Sequence, residues 1–117
     1  MKIYAIDDYE QHLMLYTAGH GAIGFTTPDG LINALCAEQP DLLITDLMMP
    51  KIDGWTIASI ARQMYPELPI IIATSMDDQV QMKYARQQGY HFWKKGDHAK
   101  LRELIEEMKK CTPSNGK

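Results

Sequence analysis

Short apolar segments alternate along the chain with segments in which apolar residues recur at helical spacing. The apolar segments predict five strands, at residues 2–6, 22–26, 42–45, 70–73 and 90–93. The segments after them predict five helices, at residues 10–18, 27–38 and 54–65, from a cap at Asp77 or Asp78 to Gln88, and from a cap at Asp97 through Met108. This alternation predicts parallel βαβ units with right-handed crossovers, which is an α/β fold.

Residues with strong backbone preferences mark the ends of these helices. Thr27 and Pro28 are a typical N-cap and first helical residue. Pro66 and Pro69 end the third helix and Gly89 ends the fourth, because proline does not continue a helix and glycine readily adopts the left-handed conformation that ends one. We therefore expect a doubly wound, flavodoxin-like sheet of five parallel strands in the order 2-1-3-4-5, with five helices on its two faces.

Polar and charged residues follow four of the predicted strands. In a parallel sheet the carboxyl ends of all strands lie at the same edge, and ligands bind there at the point where the strand order reverses. We expect the following residues to meet in one crevice: Asp7 and Asp8 after the first strand, Asp46 after the third, Thr74 and Ser75 after the fourth, and Lys94 and Lys95 after the fifth.

This combination of side chains predicts a site for a phosphoryl group. Three crowded carboxylates repel one another unless a cation neutralises them, and oxygen ligands beside a phosphate favour Mg²⁺. A carboxylate such as that of Asp46 can act as a nucleophile and form an acyl phosphate. A metal ion and a lysine then neutralise charge on the transferring group.

With these residues in place, the chain resembles a response-regulator receiver domain, the phospho-acceptor module of two-component signalling, over residues 2–110. The motifs that carry the resemblance are Asp7-Asp8, Asp46 with Pro50 and Asp53-Gly54, Thr74-Ser75, and Lys95. Each motif alone is weak, whereas the set in this order and spacing is specific. The resemblance implies a cytoplasmic signalling protein that accepts a phosphoryl group and is not a turnover enzyme.

The resemblance also implies a role for each residue of the site. Asp46 would be the residue that is phosphorylated, and Lys95 would pair with the phosphoryl group. Mg²⁺ would be bound by Asp8, by Asp46 and by the backbone carbonyl of Met48, and by Asp7 through water. Thr74 would be the switch hydroxyl, and Phe92 the switch aromatic that turns inward when Thr74 moves.

Two kinds of partner follow from the same resemblance. A histidine kinase or a phosphotransfer protein would donate the phosphoryl group. A face made of the fourth helix, the fifth strand and the fifth helix would bind a downstream target protein or a fused output domain. The chain is then either a stand-alone receiver or part of a larger regulator or hybrid kinase, with residues 1–111 forming the domain and residues 112–117 a flexible tail.

The residue after Lys95 departs from the family's pattern. Receiver domains usually have a proline there, after a cis peptide bond, whereas this chain has Gly96. Because a cis bond before a non-proline residue costs about 2.5–4 kcal/mol, we expect a trans bond here, which leaves the placement of Lys95 open. Lys94 is the alternative phosphate-binding lysine, and we favour Lys95 because it keeps Phe92 three residues before it.

Methionine occupies the two positions that flank the phosphoryl group in this family. Met48 lies two residues after Asp46, and Met76 lies two residues after Thr74. A thioether is too weak an acceptor to orient an attacking water molecule. We therefore expect a phosphoryl group on Asp46 to be long-lived against self-hydrolysis.

Two other functions are compatible with the same acidic residues. A degenerate receiver would bind a partner without being phosphorylated, which Gly96 leaves open. The other is a Mg²⁺-dependent phosphatase with an aspartyl nucleophile. Phosphatases of the haloacid-dehalogenase type need a second aspartate, two positions after the nucleophile, as a general acid. In this chain that position is Met48, which cannot transfer a proton, so the sequence disfavours a phosphatase.

Composition and charge narrow the range of partners. The formal net charge of -3 and the lack of a Lys/Arg cluster argue against a nucleic-acid-binding face. No apolar run is long enough to span a membrane or to form a signal peptide, so neither a membrane partner nor export is expected. Cys36 and Cys111 are interpreted as free thiols, and the four histidines, His12, His20, His91 and His98, as solvated or structural residues.

Overall fold

Five strands and five helices alternate in the computed structural model, which describes residues 1–76 and 78–111. The strands are β1 (Ile3–Ile6), β2 (Ile23–Phe25), β3 (Leu42–Asp46), β4 (Ile70–Thr74) and β5 (His91–Lys94). The helices are α1 (Glu10–His20), α2 (Pro28–Ala37), α3 (Gly54–Met64), α4 (Gln79–Gln87) and α5 (His98–Cys111). The predicted tail, residues 112–117, and Asp77 lie outside the described residues.

The strands form one parallel sheet in the order β2-β1-β3-β4-β5. This is the predicted order, and it places β1 and β3 side by side at the centre. β3 and β4 are buried along their whole length, as expected for strands that have neighbours on both sides and helices on both faces. The fold is therefore the predicted flavodoxin-like α/β architecture.

Two apolar clusters, one on each face of the sheet, form the core. On one face, Leu13 and Tyr16 of α1 and the stripe Leu101, Leu104, Ile105 and Met108 of α5 pack against the sheet. On the other, Leu31 and Leu35 of α2 and Ile57, Ala58 and Ala61 of α3 do so. Alternate residues of β1 belong to opposite clusters, because successive strand side chains point to opposite faces.

Helix ends follow the predicted signals with one correction. Thr27 caps α2 by accepting a hydrogen bond from the N–H of Gly30, and Asp78 caps α4 by accepting from Val80 and Gln81. The prediction that α1 ends at Ala18 is wrong, because the helix continues through Gly19 to His20. Gly21 ends it instead, in the left-handed conformation (φ 69°) that glycine adopts without strain.

Helix α4 buries fewer residues than any other helix within the described residues. Ala85 is its single buried residue. The indole of Trp55 in α3 donates a hydrogen bond to Gln81 (3.1 Å) and packs edge-to-face on Tyr84, with ring centroids 4.7 Å apart. Trp55 therefore joins α3 to α4.

No helix within residues 1–76 and 78–111 is long and apolar enough to cross a bilayer.

The connection from β3 to α3 depends on close backbone approach at Gly54. The N–H of Leu47 bonds to the carbonyl of Ala73, and the N–H of Gly54 bonds to the carbonyl of Leu47, each at 2.8 Å. A Cβ atom on Gly54 would overlap the carbonyl oxygen of Asp46 and lie 2.9 Å from the Cα atom of Leu47. Glycine at this position thus permits the path that places Asp46 at the sheet edge.

We predict that Gly54→Ala lowers the free energy of unfolding by about 2–3 kcal/mol, because the added methyl group forces a backbone shift. Gly19→Ala is the matched control, since Gly19 is an exposed helical residue with no atom within 4 Å of its added Cβ. That substitution should leave stability unchanged or raise it by about 0.5–1 kcal/mol. Urea unfolding measures both variants, and equal stability of the two would contradict the close packing at Gly54.

Candidate functional site

Three carboxylates lie together at the carboxyl ends of β1 and β3. Asp7, Asp8 and Asp46 each offer an oxygen atom, and these oxygens all lie within 4.8 Å of one another. Asp7 and Asp46 are buried, whereas Asp8 is exposed. The three acids therefore lie together at one edge of the sheet, as predicted, and the cluster is exposed to solvent at Asp8.

The ammonium group of Lys95 bridges the two buried carboxylates. Its Nζ atom lies 2.8 Å from Oδ2 of Asp7 and 2.8 Å from Oδ1 of Asp46. The side chain of Lys95 is only 11% exposed, so both ion pairs are largely shielded from water. Of the two lysines that the sequence left open, the structure brings Lys95 to the acids, while Lys94 is an exposed residue at the end of β5.

The backbone of β5 explains how Lys95 reaches the acids. Lys94 pairs with Thr74 in the strand register, and the N–H of Lys95 donates to the carbonyl of Thr74 at 2.7 Å. Gly96 follows with φ 104°, a left-handed conformation that favours glycine. None of the peptide bonds within the described ranges is cis, in agreement with the trans bond expected before Gly96.

Burial raises the pKa of Asp46 above the ordinary value of an aspartate. The hydrogen bond from Lys95 lowers this pKa and the neighbouring charge of Asp7 raises it, but burial is the largest cause. The folded protein therefore binds the Asp46 proton more tightly than the unfolded chain does. Without a metal ion or a phosphoryl group, the ionised form of Asp46 is destabilising.

The remaining residues predicted for the site differ in how far they are buried. Thr74 is buried at the end of β4, and its hydroxyl accepts a hydrogen bond from the N–H of Met76 at 3.2 Å. Phe92 is half-buried in β5, opposite Ile72 in the strand register, and packs against the cluster on the α2–α3 face. Met48 and Met76 are 66% and 56% exposed, so both of their side chains are accessible from solvent.

His12 is a site residue that the sequence interpretation missed. Its Nδ1 atom lies 3.1 Å from Nζ of Lys95 and 3.4 Å from Oδ2 of Asp7. The interpretation of His12 as a solvated or structural residue did not include a position at this edge, where the structure places it. The available signal was its place in the first turn of α1, four residues after Asp8, where a helix side chain can point back to the sheet edge.

Comparisons with known proteins identify relatives of this chain. Residues 7–106 match the family described as the response regulator receiver domain. The DNA-binding transcriptional regulator NtrC of Proteus hauseri is 40% identical over 65 residues, which are 56% of this chain and 14% of that protein. The chain therefore spans a small part of the curated relative it matches.

Solved structures with the same fold include two receiver proteins. The non-phosphorylated HemR receiver domain from Leptospira biflexa superposes with a TM-score of 0.83 at 18% identity, over 97% of this chain and 98% of that one. The response regulator TrrA from Thermotoga maritima, in complex with Mg²⁺ and BeF, has a TM-score of 0.79 at 18% identity, over 92% and 97% of the two chains. At these identities the likeness shows the shared fold.

We predict that Asp46→Asn raises the free energy of unfolding at neutral pH in metal-free buffer, by roughly 1 kcal/mol. The stabilising effect of a protonated Asp46 is fully present below its ordinary pKa and is lost as the pH rises through the raised pKa. The difference between variant and wild type should therefore be near zero in acid and grow with pH. Urea unfolding at a series of pH values measures it.

Asp29→Asn is the control for this experiment, because Asp29 is an exposed carboxylate on α2. A substitution there should change stability by less than about 0.5 kcal/mol at any pH. If Asp46→Asn is less stable than wild type at neutral pH, the ion pair with Lys95 outweighs the burial of the carboxylate, contrary to the pKa direction given above.

Proposed function

Because this chain belongs to the response regulator receiver domain family, we propose that Asp46 is its phospho-acceptor and that phosphorylation of Asp46 switches a partner-binding face. The observation that supports this assignment is the bridge from Lys95 to Asp7 and Asp46. The site thus combines the carboxylate of Asp46 at the end of a strand with a cation beside it. The oxygens of two further acids, Asp7 and Asp8, lie within 4.8 Å. Receiver domains act in two-component signalling and are generally not turnover enzymes.

The carboxylate of Asp46 acts as the nucleophile in the proposed reaction. One of its oxygens attacks the phosphorus atom of a phosphohistidine, and an acyl phosphate bond forms. The P–N bond breaks, and its electron pair remains on the imidazole nitrogen of the donor. Lys95, which contacts Oδ1 of Asp46, transfers this hydrogen bond to a phosphoryl oxygen and neutralises part of the added charge.

The three carboxylates fit a hard divalent cation. Asp7, Asp8 and Asp46 supply oxygen ligands, and Lys95 contributes a single compensating positive charge among them. We propose that Asp8, Asp46 and the Met48 carbonyl bind Mg²⁺ and that Asp7 does so through water, as in the family. When bound, the ion shields the negative charges of the phosphoryl group and the carboxylates from one another. The complex of TrrA with Mg²⁺ and BeF supports this choice of ion by analogy.

Thr74 and Phe92 are proposed to transmit the change. The Thr74 hydroxyl, now bonded to the N–H of Met76, would leave that bond and donate to a phosphoryl oxygen. Phe92 is half-buried next to β4, and it would turn inward into the space that Thr74 leaves. The responding face consists of α4, β5 and α5, where Val80 is 76% exposed.

The partners proposed for the chain are of two kinds. A histidine kinase or a phosphotransfer protein donates the phosphoryl group, and a target protein or a fused output domain recognises the responding face. We propose that residues 1–111 form the receiver domain in either case.

We predict that acetyl phosphate with Mg²⁺ labels the protein stoichiometrically at Asp46. Asp46→Asn should abolish the label, because the amide is not a nucleophile of this kind, and chelation of Mg²⁺ by EDTA should suppress it. Intact-mass spectrometry followed by borohydride reduction of the acyl phosphate identifies the modified residue.

Asp53→Asn is the matched control for the labelling. Asp53 is an exposed N-cap on the same connection from β3 to α3, and asparagine caps a helix equally well. Asp53→Asn should be labelled like the wild type. Partner binding by an unlabelled wild type would instead indicate a degenerate receiver, and continuous release of phosphate from small phosphate esters would indicate a phosphatase.

We predict that the phosphoryl group on Asp46 survives for minutes or longer in purified protein, because the thioethers of Met48 and Met76 do not orient water for attack. Met48→Asn should speed loss of the label by roughly fivefold to tenfold, which is less than a full general base contributes. Met14→Asn is the control, since Met14 on α1 is 63% exposed and Met48 is 66% exposed. Loss of the wild-type label within seconds would rule out this role of the methionines.

A further inference from the structure

His12 lies at the acidic site but has no part in the phosphoryl chemistry or the metal site proposed above. Its side chain is 38% exposed and comes from the first turn of α1. Nδ1 of His12 approaches Nζ of Lys95 to 3.1 Å and Oδ2 of Asp7 to 3.4 Å. These two contacts require opposite roles for the same ring nitrogen, so the chemistry of the neighbours decides between them.

The contact with Lys95 makes Nδ1 an acceptor. An ammonium group has only donors, so a hydrogen bond to it requires an unprotonated ring nitrogen, with the ring proton on Nε2. A proton on Nδ1 would instead point toward the ammonium hydrogens. The distance to Lys95 is also shorter than the distance to Asp7, whose Oδ2 already accepts from Lys95 at 2.8 Å. In the contact with Lys95, Nδ1 of His12 therefore acts as the acceptor.

With His12 included, the ammonium group of Lys95 has one acceptor for each of its three N–H bonds. They are Oδ2 of Asp7, Oδ1 of Asp46 and Nδ1 of His12. The first two acceptors are charged and belong to the reacting site. The third is neutral and comes from a helix outside the sheet. His12 thus supplies a hydrogen bond to Lys95 that the reacting groups do not share.

The surroundings of Lys95 show why such a contact matters. Gly96 follows with φ 104°, and an added Cβ there would meet no atom within 4 Å. A cleft of about 280 Å³, lined by His12, Tyr16, Lys95, Gly96 and other residues, lies beside the ammonium group. The cleft leaves open space beside Lys95. A contact from α1 restricts movement of its side chain into that space.

We propose that His12 is a positioning residue that holds the Lys95 ammonium in place for phosphoryl transfer, an inference that rests on the proposed phosphorylation of Asp46. During transfer, Lys95 would exchange its bond to Asp46 for one to a phosphoryl oxygen, and Asp7 would help to hold the metal ion through water. Because Nδ1 of His12 bonds to Lys95 and not to a reacting group, this contact need not break during transfer. It keeps the ammonium within reach of the incoming group while the two charged contacts change.

Three variants separate this role from general packing. His12→Phe keeps an aromatic ring against Tyr9, whose ring centroid lies 4.7 Å away, but it removes the acceptor. His12→Asn keeps an acceptor oxygen close to the position of Nδ1. His20→Phe is the control, because His20 is a partly buried histidine at the other end of α1.

The first measurement is the initial rate of labelling by acetyl phosphate with Mg²⁺. His12→Phe should slow labelling about fivefold, the rate equivalent of one modest hydrogen bond. His12→Asn should recover most of the rate, and His20→Phe should leave it unchanged. In a Lys95→Ala background, His12→Phe should cause no further loss, because it acts through Lys95. The same fold-loss in both backgrounds would overturn the proposal.

The second measurement does not depend on phosphorylation. In the metal-free protein, ¹H–¹⁵N NMR of the Lys95 ammonium reports how fast its protons exchange with water. Exchange should be about fivefold faster in His12→Phe than in wild type or in His20→Phe, in line with the loss of one hydrogen bond. Unchanged exchange would overturn the role of His12. If the wild type is never labelled, the proposed function fails, while this measurement still decides whether His12 holds Lys95.

Discussion

The shortage of positive charge at the carboxyl edge of the sheet is the constraint on which the site depends. Asp7, Asp8 and Asp46 bring their oxygens within 4.8 Å of one another, and the ammonium of Lys95 bridges the two that are buried. Burial makes an unpaired charge costly, so the position of one lysine affects the free energy of every other group there. A metal ion or a phosphoryl group that enters this edge must change the contacts of Lys95.

The sheet topology made much of this site predictable from the sequence. In a parallel sheet the residue after each strand lies at the same edge, so apolar segments that end in Asp7, Asp46 and Thr74 already imply that these residues meet. The choice between Lys94 and Lys95 was harder to predict, because a shift of the strand register by one residue exchanges the positions of the two lysines. The hydrogen bond from the N–H of Lys95 to Thr74 determines that register in the structure.

Contacts that depend on how a helix leaves its strand could not be predicted in the same way. His12 reaches Lys95 only because α1 begins at Glu10 with the orientation it has, and spacing along the sequence does not specify that orientation. In the sequence, Gly54 stands out only as part of the Asp53-Gly54 motif. Its close approach to the carbonyl of Asp46 depends on the path of the intervening loop, which no local pattern specifies.

The packing of α4 bears on how the proposed phosphorylation of Asp46 would change the surface of the protein. A phosphoryl group can shift the equilibrium between two conformations only by the difference between its interaction energies in them. At this site that difference amounts to the energy of a few hydrogen bonds. β3 and β4 are buried along their length, so moving them would cost far more. α4 buries only Ala85 and is joined to α3 through Trp55, Gln81 and Tyr84. Of the helices within the described residues, α4 buries the fewest residues, so we expect it to be the helix that a small energy difference displaces most easily.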